Sequence, residues 1–165
     1  MSTVEVAVVV AAGAVGAHFL LCAVPHVLTR AQLAGDPKAG MVVFVEPIRW
    51  LSVPWGLGQT TSGLRRAGFA GEVVHWKWHS WWRGWLVLPA LMHRAFLEKQ
   101  ARRLAAFIER HRADHPDRPI YLMGYSCGGF LTVRALELLP EGVTVNAAAV
   151  LAGAFGPKRD LTDAC

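Results

Sequence analysis

A chain of 165 residues, 53% apolar and 18% charged, holds enough apolar side chains for one buried core, and its length argues for a single domain. Its formal net charge of +5 does not carry a nucleic-acid reading, because the basic residues fall mainly on one candidate helix and in loops, with no recognition motif among them. A basic face turned to solvent or to anionic lipid fits that distribution better.

From Val6 to Thr29 there is no Asp, Glu, Lys or Arg. At about 1.5 Å per residue a helix of this stretch would cross a hydrocarbon core about 30 Å thick, so residues 1–30 read as a single-pass membrane anchor, bent near Pro25. The lead-in Met1-Ser2-Thr3-Val4-Glu5 carries an acid and no basic residue, unlike a secretory signal peptide. Arg30 and Lys38 follow, which favours a cytoplasmic location for the remainder. Two other readings stay open. Val4–Val10 with Ala11-Ala12-Gly13-Ala14-Val15-Gly16 resembles a dinucleotide-binding strand and turn, with Ala11 where the first glycine belongs, and the same residues fit a buried strand and helix of a soluble core.

Residues 31–40, with Gly35, Asp36, Pro37 and Gly40, read as a linker. Met41–Val45 is an unbroken apolar run rich in β-branched residues, hence a strand covered on both faces. Gly56, Gly58 and the polar Gln59-Thr60-Thr61-Ser62 lead into a short helix near Leu64–Ala67, closed by Gly68. A strand at Glu72–Trp76 completes a parallel crossover. Five of the seven tryptophans then fall between Trp76 and Trp85, a density that suits the wall of an acyl pocket, a water–lipid boundary or padding beneath a long loop. Leu97, Ala101, Leu104, Ala105 and Ile108 recur at helical spacing, which predicts an amphipathic helix from about Met92 to Arg112.

A short apolar run from Ile120 then ends in Gly124-Tyr125-Ser126-Cys127-Gly128 and continues in helical pattern with Phe130, Val133, Leu136 and Leu139. Strand, sharp turn, helix is the geometry a nucleophilic serine needs. The tight turn forces an unusual backbone at Ser126, so the positions two before and two after must be nearly free of side chain, as Gly124 and Gly128 are. The same turn starts a helix, whose first N–H, that of Cys127, points where an oxyanion would form. Val143–Leu151 reads as one more central strand.

These residues resemble the nucleophile elbow of the α/β-hydrolase family, closely at Gly124–Gly128 and diffusely elsewhere. The resemblance implies an α/β fold with a parallel sheet over residues 41–165, preceded by the hydrophobic helix, and a serine hydrolase acting on an ester, lipid or thioester. It assigns Ser126 as nucleophile and the Cys127 N–H as oxyanion donor. Where the family commonly has His-Gly after the strand that supplies the second donor, this chain has Glu46-Pro47-Ile48-Arg49-Trp50, and Pro47 has no N–H to give.

A serine needs a histidine to take its proton and an acid to orient that histidine, and the family supplies them after the elbow, acid first. Asp160 is the candidate acid, with Asp163 beside it, but no histidine follows Ser126. The domain therefore reads as C-terminally incomplete and inactive as it stands, and a non-catalytic, membrane-associated domain of the same fold is the alternative. The seven histidines, His18, His26, His75, His79, His93, His111 and His115, show no paired ligand spacing on an evident helix. Cys22, Cys127 and Cys165 are scattered. Neither a metal, another cofactor nor a disulfide framework is expected.

Overall fold

The computed structural model describes residues 2–48, 56–78 and 93–153, with the side chains of residues 18, 19 and 21–32 left aside. Within them lie four helices and a four-stranded sheet, an α/β arrangement in the order α1 (Thr3–Leu33), β1 (Met41–Val45), α2 (Leu57–Arg66), β2 (Glu72–Trp76), α3 (Arg94–Asp114), β3 (Ile120–Tyr125), α4 (Cys127–Leu136) and β4 (Ala147–Leu151). A 3₁₀ turn at Pro37–Ala39 separates α1 from β1.

All strands are parallel, in the spatial order β2-β1-β3-β4. Every residue of β1 is buried, because helices cover both faces of this central strand. On one face Met41, Val43, Val45, Ile120 and Leu122 pack with Leu97, Ala101, Leu104 and Ile108 of α3 and with Leu131 and Ala135 of α4. On the other, Phe44 and Val73 pack with Leu57 and Leu64 of α2 and with Leu33 at the end of α1.

The first helix is a single element that opens on a capping box. Ser2 Oγ accepts from the Glu5 N–H at 3.3 Å, and the Glu5 carboxylate accepts from the Ser2 N–H at 2.7 Å. Val4–Val10 is helical, which removes both the dinucleotide-turn and the buried-strand readings of that stretch. Residues 3–17 are exposed on every side. Among the described residues no helix is long and apolar enough to cross a membrane.

Nor does the far end of α1 stand clear of the sheet. Leu33 joins the cluster around Phe44, and Arg65 Nη2 donates to the carbonyl of Ala34, the C-cap, at 2.8 Å. Arg65 Nη1 donates to the carbonyls of Phe69 at 2.6 Å and Gly71 at 2.7 Å, so one guanidinium ties α1 to the α2–β2 turn. The expected linker at 31–40 thus begins inside a helix and continues as a hydrogen-bonded turn, with Asp36 accepting from the Lys38 N–H and donating its own N–H to Ala70.

Two other boundaries move for physical reasons. Helix α2 starts at Leu57 rather than near Leu64, because the Thr61 hydroxyl donates to the Leu57 carbonyl at 2.7 Å and is thereby buried without penalty. Strand β4 starts at Ala147 rather than Val143. Ahead of it, the Asn146 side chain takes the place of a ladder partner: its Oδ1 accepts from the Ile120 N–H at 2.9 Å while the Asn146 N–H donates to the Ile120 carbonyl at 2.9 Å. In α4 the buried row is Leu131, Thr132, Ala135 and Leu136, with Val133, whereas Phe130 and Leu139 are only half-buried.

Candidate active site

Chain order fixes where a ligand sits in such a sheet. From β1 the chain steps outward to β2, then returns across β1 to β3 and continues to β4, so the direction of winding reverses between β1 and β3. Parallel sheets bind ligands outside the carboxyl ends of the strands at such a reversal. The residues there are Glu46 and Pro47 after β1 and Ser126 after β3.

Ser126 has φ 54° and ψ −119°, a region that L residues rarely occupy and that costs of order 1–3 kcal/mol. Three hydrogen bonds hold it: its N–H donates to the Leu151 carbonyl at 2.9 Å, and its own carbonyl accepts from the Gly129 and Phe130 N–H groups at 2.9 and 3.4 Å. Close packing makes both flanking glycines necessary. A Cβ on Gly124 would strike the Thr132 hydroxyl and sit 2.7 Å from the Gly128 carbonyl oxygen, and one on Gly128 would strike the Val45 carbonyl. A strained strand-to-helix turn at Ser126, closed in by Gly124 and Gly128, therefore stands at the reversal point of the sheet.

Cys127 is the first residue of α4, and its N–H belongs to the group that helix geometry leaves without an intrahelical acceptor. Its thiol is buried, and burial pushes it up to about 11, so it is a poor nucleophile near neutral pH. The Thr132 hydroxyl donates to the Gly128 carbonyl at 2.9 Å, closing the first turn beneath the serine.

Sequence reasoning missed a second constellation beside the elbow. Glu46 is fully buried, and its Oε2 lies 2.6 Å from Nε2 of His75, whose side chain is 5% exposed. The indole N–H of Trp78 donates to the Glu46 carbonyl at 2.7 Å. A signal was available: a carboxylate that directly extends an all-apolar strand has to find a buried partner, and His75 lies within the next strand.

None of the described histidines is assigned to Ser126. His75 stands on β2 with β1 between it and β3, about 10 Å away at the usual strand spacing, and its Nε2 is engaged by Glu46. His93 caps α3, with Nδ1 accepting from the Phe96 N–H at 3.0 Å. His111 and His115 sit at the other end of α3, which leads into the start of β3, at the edge of the sheet opposite the elbow. His115 is the C-cap of that helix, and its ring centroid lies 5.2 Å from that of His111. Among the described residues no group of three or more His, Cys, Asp or Glu is placed to hold a metal ion. Asp160 and Asp163, and Trp81, Trp82 and Trp85 of the tryptophan cluster, lie outside the described residues.

In comparisons with known proteins, no family model, no curated protein and no solved structure matches this chain.

Proposed function

We propose that the chain is a serine hydrolase core of the α/β-hydrolase type, acting on an ester, lipid or thioester. Ser126 Oγ would attack the substrate carbonyl carbon, the Cys127 N–H would receive the oxyanion, and the leaving group would depart with a proton as the acyl-serine forms. The observation that carries the reading is the backbone of Ser126. A strained φ of 54°, packed between glycines that admit no side chain and seated where the sheet reverses, has a cost that a mere strand-to-helix turn has no reason to bear.

The proton acceptor is the open part. Residues 127–165 contain no histidine, His75 and His93 are engaged elsewhere, and His111 and His115 lie at the opposite edge of the sheet, so the 165-residue chain is proposed to turn over slowly, with Asp160 as its candidate acid. Loss of the base from a serine triad leaves only what the oxyanion site and binding supply. The second reading is a non-catalytic domain that keeps the fold. A fluorophosphonate probe separates the two: an adduct on Ser126 that is lost in Ser126→Ala supports the hydrolase, and no adduct on the folded protein leaves the binding domain.

Membrane association belongs to both readings. Val4, Val8, Val9 and Val10 are each at least 60% exposed on α1, with Leu20 at 68%, an apolar surface that suits a lipid interface rather than water.

A further inference from the structure

Glu46 extends β1 past five buried apolar residues and is itself fully buried, although a leucine there would continue the run without the several kcal/mol that desolvating a carboxylate costs. What a carboxylate adds is direction. His75 Nε2 is hydrogen-bonded to its Oε2 at 2.6 Å, Trp78 donates its indole N–H to the Glu46 carbonyl at 2.7 Å, and the Glu46 N–H reaches the Trp76 carbonyl at 3.5 Å. The held segment abuts the elbow directly, since a Cβ on Gly128 would come 2.5 Å from the Glu46 carbonyl oxygen. Side chain, N–H and carbonyl of one residue are therefore all fixed from β2 and the segment after it, and the residue itself is wedged against the first turn of α4.

We propose that Glu46, oriented by His75, is a positioning residue for the Ser126 site: it fixes the three residues Glu46, Pro47 and Ile48 after β1 so that the main-chain N–H of Ile48 faces the same oxygen as the Cys127 N–H. The proposal rests on the hydrolase reading. The Glu46 N–H is turned toward Trp76 and Pro47 has none, so the first N–H available for this role is that of Ile48. A donor delivered by a loop needs such a brace, because an oxyanion contact misplaced by an ångström loses most of its worth.

The test uses the full chain and four variants: Glu46→Gln, His75→Gln, the double variant, and Ser126→Ala as background. Two readouts are followed, the rate of fluorophosphonate labelling at Ser126 and hydrogen exchange of the Trp78 indole N–H. Each single variant should label at least tenfold more slowly, short of the 10²–10³-fold cost of deleting an oxyanion donor outright. Each should also exchange the Trp78 indole at least tenfold faster. The double variant should be no worse than either single one, because the pair acts as a unit. Additive losses, or an unchanged indole exchange, would overturn the brace even if labelling fell. Wild-type protein that does not label would instead sink the hydrolase reading, while the indole exchange of the three variants still decides whether Glu46 and His75 hold the loop.

Discussion

The N–H of Ser126 donates to the Leu151 carbonyl at 2.9 Å, so a residue held at φ 54° is pinned to the last residue of the neighbouring strand, where the β3–β4 ladder ends with Tyr125 opposite Leu151. The strain is thus fixed by tertiary structure rather than by the turn alone. Glycine reaches this region without penalty, whereas alanine keeps the Cβ that causes the strain. Ser126→Gly should accordingly raise stability by about 1 kcal/mol while abolishing labelling, and Ser126→Ala should abolish labelling with no gain. Urea midpoints decide it: a Gly variant no more stable than the Ala variant means the elbow stores no strain.

Glycines that look alike in the sequence should behave in opposite ways. At Gly128 an added Cβ meets the backbone carbonyl of Val45, which has no freedom to move aside, so Gly128→Ala should cost about 1–3 kcal/mol and displace the elbow. At Gly63, inside α2, an added Cβ meets nothing within 4 Å, and Gly63→Ala should stabilise by about 0.5–1 kcal/mol. Thermal unfolding of the two variants checks the sign. Equal and small effects would mean that the close approach of α4 to β1 is not real.

The elbow was legible from sequence because its constraints are local: two glycines two residues either side of a serine, an apolar run before and a helical pattern after. Helix α3 was legible for the same reason, its buried row of Leu97, Ala101, Leu104, Ala105 and Ile108 repeating within one element. The Glu46–His75 pair was not, since it is set by the register of two strands, with Phe44 opposite His75, and that register depends on everything between them. The early start of α2 and the late start of β4 were hidden likewise, one by a threonine hydroxyl that bonds within its helix, the other by an asparagine side chain that substitutes for backbone. Side-chain bonds to backbone leave no periodic trace.

Stability should narrow from both ends of the pH scale. Burial holds His111 below its ordinary range, helped by Arg118, His115 and Arg112, and its Nε2 is buried without a hydrogen-bond partner. A depressed histidine binds fewer protons folded than unfolded, so stability present above its unfolded value near 6.5 is lost as the pH falls. Cys127 works the other way: its thiol, pushed up to about 11, stays protonated in the fold after the unfolded thiol has ionised near pH 9. Stability is therefore lost between pH 9 and 11, by up to about 3 kcal/mol if the whole difference is expressed. His111→Leu should flatten the acid limb of a plot of unfolding free energy against pH, and Cys127→Ala the alkaline limb. A limb that keeps its slope in the matching variant assigns it to another group.

The exposed valines of α1 make the last prediction. A fully buried valine gains about 1.5 kcal/mol or more, so even partial burial of Val6, Val9 and Val10 at a lipid surface should together outweigh tenfold in partitioning. The protein should float with liposomes, and a variant carrying Val6→Asn, Val9→Asn and Val10→Asn should float at least tenfold less. Its Ser126 labelling should be unchanged, because residues 3–17 are exposed and belong to neither apolar cluster around the sheet, and the far end of α1 stays tied by Leu33 and Arg65. Salt identifies the force at work. Binding through an apolar surface persists when ionic strength is raised, whereas binding by exposed basic residues such as Lys38 and Arg66 to anionic lipid is screened within about a nanometre. Release by salt, with the asparagine variant floating as well as wild type, would move the lipid contact from the valines of α1 to exposed basic residues.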